Sequence, residues 1–240
     1  MKVAYKTDIG KKRVHNEDCI LVDESEGIFL LADGMGGHQA GEVASRLAIA
    51  ECYAWLKGNV GTSRFGGDFS SLLTESLLKA HRAVKNTAEA NIGLAGMGTT
   101  LVQALLRGNT AHICHVGDSR VYLLRNGLRQ LTTDHTSEMS FVKEWTQGAG
   151  QPVMQTMRVL TQAIGGKETP APELLHVPLQ AKDVLLLCSD GLTDMLPEKE
   201  IESIVLQRGD NLPASADGLI REANTRGGLD NISVILIECE

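Results

Sequence analysis

Short apolar runs bounded by turn residues set the rhythm of the chain. Cys19 to Val22, Ile28 to Ala32, Thr99 to Leu106, Thr110 to Val116, Arg120 to Leu124, Val184 to Cys188 and Ile232 to Ile237 are such runs, rich in aliphatic and β-branched residues. Each reads as a strand. Several are parted by only a few residues, as at "RGN" and "GDS", so they are expected to be antiparallel neighbours, because a parallel crossover needs roughly a dozen residues. Apolar positions fall at helical spacing in Gly41 to Leu56 (Ala44, Leu47, Ala48, Trp55) and in Ser70 to Ala90 (Leu73, Leu77, Ala80, Val84). Two shorter helices are expected over Pro197 to Gln207 and Pro213 to Thr225. Strand groups interleaved with helix pairs imply antiparallel sheets covered by helices, an α+β layered fold. Gly58 to Asp68 reads as a loop. Thr136 to Gly165 carries a weak helical pattern broken by "QGAGQP" and lies between strand groups, where an insertion can hang over a site.

A chain of 240 residues with 42% hydrophobic and 22% charged residues suits one globular domain spanning 1–240. Its apolar stretches fall short of the roughly 20 residues a membrane span needs, and no apolar leader is present, so a cytoplasmic protein without a membrane role is expected. Cys19, Cys52, Cys114, Cys188 and Cys239 are scattered and mostly sit in apolar runs, which suits buried thiols rather than disulfides or zinc. A net charge of -7 argues against a nucleic-acid partner. Acidity also arises where aspartates wait for divalent cations.

Acidic residues recur where the apolar runs stop. Asp33 follows "IFLLA", Asp118 follows "HICHVG", Asp190 follows "VLLLCS", and Asp230 with Asn231 precedes "ISVILI". Singly each is an ordinary turn former. Together, carboxylates gathered at one sheet edge repel unless cations lie between them, and oxygen-only donors suit Mg²⁺ or Mn²⁺. Two such ions about 3.5–4 Å apart would activate a water for attack on a phosphate ester. Phosphate oxygens also need an orienting cation; Arg13, in "TDIGKKRVHNED", is a candidate, and a solvated surface arginine is the bland alternative.

Six blocks carry a resemblance: "TDIGKKRVHNED", "FLLADGMGGHQAGEVAS", "MGTTLV", "HVGDSRVYLLRNGLRQLTTDH", "LLLCSDGLTDML" and "GGLDNISVILI". In this order the chain resembles the metal-dependent protein serine/threonine phosphatases of type 2C, in their single-domain bacterial branch. The resemblance implies a four-layer α-β-β-α sandwich of two antiparallel sheets flanked by helix pairs, with a flap at about 136–165. It also implies hydrolysis of phosphoserine and phosphothreonine on proteins by in-line attack of a metal-bridging hydroxide. Asp33 would bridge two Mn²⁺ or Mg²⁺ ions, Gly34 would offer its carbonyl, and Asp190 and Asp230 would complete the second ion's carboxylates. Asp18, with Glu17 beside it, would hold metal-bound waters; Asp118 with Asp190 would hold a weaker third ion; Arg13 would bind the substrate phosphate.

The expected substrates are phosphoproteins, made by a serine/threonine kinase, and the expected state is a monomer. Many relatives carry a histidine directly after the Asp-Gly, assigned as the acid for the leaving group; Met35 stands there instead. His38 is then the nearest titratable donor; a metal-bound water, or a purely structural role for His38 at a helix start, are the alternatives. The middle of the flap, "EWTQGAGQPVMQTM", departs from the family pattern. Asp134 and His135 read as anchors of the flap's start. His112 and His115 lie at i, i+3 on a strand and so face opposite sides, a poor ligand pair. Trp55 and Trp145 read as packing residues. One rival is a nucleotide-binding domain on "LLADGMGG", which lacks GxGxxG and GK[ST] spacing. Another is a catalytically weak or inactive phosphoprotein-binding module of the same fold, which should have lost a metal carboxylate.

Overall fold

The computed structural model describes residues 1–37, 40–62, 64–144, 153–207 and 211–240, with the backbone alone at 141–144 and 153–155. Its strands are β1 (Lys2–Asp8), β2 (Asp18–Asp23), β3 (Ile28–Met35), β4 (Gly98–Thr99), β5 (Leu101–Arg107), β6 (Thr110–Val116), β7 (Arg120–Leu124), β8 (Leu128–Gln130), β9 (Thr136–Glu144), β10 (Val153–Leu160), β11 (Glu173–Pro178), β12 (Val184–Cys188) and β13 (Ile232–Glu238). Its helices are α1 (Ala40–Asn59), α2 (Phe69–Ala90), the single turn α3 (Asp190–Thr193), α4 (Glu198–Gln207) and α5 (Leu212–Thr225). One antiparallel sheet runs β1-β13-β12-β7-β8 and the other β11-β6-β5-β3-β2, with β4 on β3.

The central strands are apolar on both faces because each is covered twice. Along β3, Phe29 and Leu31 point into the core between the sheets, while Ile28, Leu30 and Ala32 face α1 and α2. Along β12 and β13, Leu185, Leu187, Ile235 and Ile237 join the same inter-sheet core, and Leu186, Cys188, Val234 and Leu236 face α4 and α5. Alternating side chains thus fill three apolar layers between four structural ones, the expected α-β-β-α order.

Two expectations need correction. The strands flanking "GDS" are not paired neighbours: β6 pairs with β5 and β11, whereas β7 pairs with β12 and β8. The chain changes sheets there, at Gly117 with φ +111°, where an added Cβ would lie 2.6 Å from the Thr100 side chain. Only glycine makes that corner without strain. The "RGN" connection, by contrast, does join paired strands β5 and β6. The described residues between Thr136 and Gly165 are not helical either; β9 and β10 form a two-stranded antiparallel sheet of their own. In "TMRVL", Met157 and Val159 alternate with the polar Thr156 and Arg158, which fits a strand's two-residue period better than a helical stripe. Trp145 lies outside the described residues. Trp55 packs with Phe65, their rings edge to face at 6.3 Å.

Phe29 is fully buried in an interior strand of the inter-sheet core. Phe29→Ala should therefore lower unfolding stability by about 3–5 kcal/mol, read by urea titration; a loss under about 1 kcal/mol would contradict this packing.

Candidate metal centre

The strand-end aspartates meet at one end of the sandwich. Asp18 opens β2 directly opposite Asp33 on β3. Asp190 begins α3 just past β12, Asp230 precedes β13, and Asp118 sits in the corner between the sheets. A cleft of about 720 Å³ is lined by Arg13, Asp33, Asp118, Arg158, Asp190 and Asp230. Both sheets contribute, so their relative packing sets the spacing of the acids.

Hydrogen bonds hold Asp33 and Asp18 in place. The Asp33 N–H donates to Thr100 Oγ1 at 2.9 Å, and its carbonyl accepts from the Thr100 N–H at 2.9 Å and from Thr99 Oγ1 at 2.8 Å. Thr100 Oγ1 also lies 2.7 Å from Ser119 Oγ, tying Asp33's strand to the loop that carries Asp118. Asp18 Oδ2 accepts from Ser189 Oγ at 2.8 Å, and Ser189 Oγ accepts from the Ser233 N–H at 2.9 Å. Asn231 organises the N-terminal loop: its Nδ2 donates to the carbonyls of Ile9 and His15, and its Oδ1 accepts from the Glu17 N–H. Gly34 is wedged so tightly that an added Cβ would lie 2.1 Å from the Gly41 carbonyl oxygen and 2.7 Å from that of Glu17. A Cβ on Gly41 would lie 2.7 Å from the Glu17 carboxyl carbon.

Arg13 reaches across the cleft and donates from Nη2 to Asp230 Oδ2 at 2.6 Å. Partial burial opposes its charge, but Asp230 more than compensates and holds the guanidinium above its ordinary pKa. The carboxylates move the other way from their usual range. Burial, with repulsion from Asp18, Asp190, Asp230 and Asp118, drives Asp33 well above it. Burial pushes Asp18 up to about 6 despite hydrogen bonds from Ser233 and Ser189. Burial, then Asp118, Asp194 and Asp230, pushes Asp190 up to about 7. Burial raises Asp118 and Glu17 as well.

Asp18 Oδ1 and Asp190 Oδ1 are buried without a hydrogen-bond partner. Such orphaned acceptors are costly unless a cation takes them. All the donors are oxygens, the set preferred by Mg²⁺ and Mn²⁺, so these residues fit hard divalent cations.

Every sequence-derived site residue among the described ones belongs to this arrangement: Arg13, Asp18, Asp33, Gly34, Asp118, Asp190 and Asp230. His38 lies outside the described residues. Sequence reasoning missed Thr99, Thr100, Ser189 and the clamping role of Asn231, all of which act through the acids' backbone or side-chain partners. It also missed Arg158, whose Nη2 donates to Asp134 Oδ2 at 2.5 Å from the cleft wall. Asp134 takes a further two-pronged contact from Arg120, at 2.9 and 2.7 Å, and so does anchor the start of β9.

Comparison with known proteins agrees with this geometry. The chain is 38% identical over 244 residues to the serine/threonine phosphatase Stp of Listeria monocytogenes, covering 99% of this chain and 96% of that protein. It is 35% identical over 251 residues to protein phosphatase PhpP of Streptococcus pneumoniae, covering 99% and 97%. The crystal structure of the Mycobacterium tuberculosis serine/threonine phosphatase PstP/Ppp superposes with a TM-score of 0.82 at 33% identity, covering 100% of this chain and 98% of that one. The PstP catalytic domain in complex with two manganese ions gives a TM-score of 0.80 at 35% identity, covering 99% and 97%. The model of the protein phosphatase 2C family matches residues 9–232. With that match along almost its whole length, the chain belongs to the protein phosphatase 2C family.

Proposed function

We propose that this chain is a metal-dependent protein phosphatase that removes phosphate from phosphoserine and phosphothreonine, using Mn²⁺ or Mg²⁺. The observation that carries the reading is the convergence of Asp18, Asp33, Asp118, Asp190 and Asp230 with Arg13 on one cleft, where two buried carboxylate oxygens want a cation. Retention of all these acids weighs against an inactive binding module, and relatives named as serine/threonine phosphatases weigh the same way.

Asp33 would serve two cations, with the Gly34 carbonyl beside it, and Asp190 and Asp230 would supply the remaining carboxylates. Asp18 and Glu17 would orient waters around them, and Asp118 with Asp190 would hold a third ion. When bound, the cations supply an acidified water as nucleophile and positive charge against the phosphoryl oxygens. Arg13 holds the non-bridging phosphate oxygens in line for that attack with a guanidinium fork. In this structure the Arg13 fork rests on Asp230, so binding phosphate would require it to let go of that carboxylate. The departing serine or threonine oxygen needs a proton, and a His38 ring nitrogen is assigned to donate it. The substrates are phosphoproteins made by a serine/threonine kinase, and the protein acts as a cytoplasmic monomer. No helix among the described residues is long and apolar enough to cross a membrane.

Hydrolysis of an aryl phosphate and of a phosphothreonine peptide, each with Mn²⁺, with Mg²⁺ and after chelation, tests this. Activity should require metal; activity after chelation, or none with either ion, overturns the reading. In the same assay Arg13→Ala should lose about 10- to 100-fold in kcat/KM, and His38→Ala should slow the peptide more than the aryl ester. Equal losses on both would assign His38 a structural role.

The raised acids add a stability test. Asp18 and Asp190 have folded pKa values above the unfolded range, so their contribution is complete below that range and is lost as pH climbs through about 6 and about 7. Metal-free protein should therefore gain more in Tm from Mn²⁺ at about pH 8 than at about pH 5. A gap that stays constant or narrows with rising pH would remove the repulsive cluster as its cause.

A further inference from the structure

A second group of metal-ligating side chains lies outside the cleft. His115 near the end of β6, His135 just before β9 and Glu173 at the start of β11 offer donor atoms that all lie within 4.8 Å of one another. None of the three lines the catalytic cleft. His115 and Glu173 are cross-strand partners, and the rings of His115 and His135 lie 4.9 Å apart, centroid to centroid.

His115 is fully buried, and neither of its ring nitrogens has a hydrogen-bond partner. A buried imidazole must carry one N–H and one lone pair, so two orphaned nitrogens leave both a donor and an acceptor unmet. Its nearest acid does not resolve this. His115 Nδ1 lies 3.5 Å from Glu173 Oε2, beyond the roughly 2.7–3.2 Å of a good hydrogen bond. That separation is, however, what two donors keep when they share one tetrahedral ion at bonds of about 2.0–2.1 Å.

We propose that His115, His135 and Glu173 form a second cation site, for a borderline divalent ion of the zinc type, at the base of the β9–β10 hairpin. Two imidazoles and one carboxylate make a donor set that Zn²⁺ accepts and that Mg²⁺ and Mn²⁺ take less readily, so this site and the all-oxygen centre select different ions. A fourth position is left for water. Supporting bonds already orient the ligands. Glu173 Oε2 accepts from the Thr133 N–H at 2.8 Å, and Oε1 from Thr133 Oγ1 at 3.3 Å. His135 Nδ1 accepts from the Gly117 N–H at 3.2 Å; ligation exchanges that long bond for a coordinate one or shifts the ring proton, which moderates the affinity. Burial also pushes the His115 imidazolium down to about 4, leaving its ring neutral and able to ligate near neutral pH.

The site's place gives it a role. The His135 N–H donates to the Gly117 carbonyl, and the His135 carbonyl accepts from the Thr161 N–H, both at 2.8 Å. His135 therefore joins the corner carrying Asp118 to both ends of the hairpin. An ion at His135 would brace that junction and fasten it to β11.

The proposal does not depend on the phosphatase reading and is tested by binding. With excess Mg²⁺ to occupy the carboxylate centre, Zn²⁺ is titrated into the full chain by calorimetry, and Co²⁺ by its visible ligand-field bands. One Zn²⁺ equivalent should bind, and His135→Gln and Glu173→Gln should each weaken it by more than the roughly 10- to 100-fold typical of losing an outer-shell partner. The Co²⁺ bands should vanish in both variants and persist in the Asp33→Asn, Asp190→Asn double variant. Zn K-edge absorption of the unmodified protein needs no variant and should report two imidazole nitrogens. Binding unchanged in His135→Gln and Glu173→Gln, bands lost only in the double aspartate variant, or a shell of oxygens alone would each overturn the proposal.

Discussion

Mutual repulsion among buried carboxylates is the constraint around which this molecule is arranged. At an effective dielectric near 20, two like charges about 4 Å apart repel by roughly 4 kcal/mol, and Asp33 feels Asp18, Asp118, Asp190 and Asp230 at once. The acids cannot gather by their own attractions. They must be delivered by a frame whose stability comes from elsewhere, and the inter-sheet core of Phe29, Leu31, Val121, Leu185, Leu187, Ile235 and Ile237 is that frame. Because the two sheets share this core, acids on different sheets keep a fixed spacing.

Polar clamps carry that rigidity the last few ångströms. Asp33 gains three hydrogen bonds through its backbone from Thr99 and Thr100, and none of them uses its carboxylate. Its charge is thereby held in place and left available. Asn231 does the same for the loop bearing Glu17, through contacts with Ile9, His15 and Glu17. Glycine serves close approach here: at Gly34 and Gly191 the space of a Cβ is already taken by carbonyl oxygens at 2.1 and 2.0 Å.

What the sequence makes legible follows burial. β3, β12 and β13 are covered on both faces, so their apolar runs stand out, and the acids at their ends stand out with them. β1, β8 and β11 are edge strands. In β1 only Ala4 is fully buried, so "KVAYKTD" carries no apolar signature. The sheet change at Gly117 is equally hidden, since a short glycine connection reads as a hairpin unless the Thr100 side chain beneath it is known. The cluster of His115, His135 and Glu173 comes from three separated segments, and no spacing rule joins them. His112 and His115 do face opposite ways, as the strand period requires: His112 meets His176 with Nδ1 atoms 2.9 Å apart, while His115 turns inward.

The β9–β10 hairpin stands apart from this logic. It pairs with neither main sheet among the described residues, and it is held at its base by Asp134, which binds Arg120 on one side and Arg158 on the other. Arg158 belongs to the hairpin and lines the cleft, whereas Arg120 lies in the main sheet. Met139 and Met157, cross-strand partners, remain exposed on the hairpin. Flexible thioether side chains of this kind adapt to varied apolar contacts. The acids therefore depend on a core that tolerates little change, while the surface beside them rests on a two-stranded element tied down by a few charged contacts. Alteration of the hairpin's sequence leaves the spacing of Asp18 and Asp33 intact, because none of the clamps on Asp18, Asp33 or Asn231 passes through it.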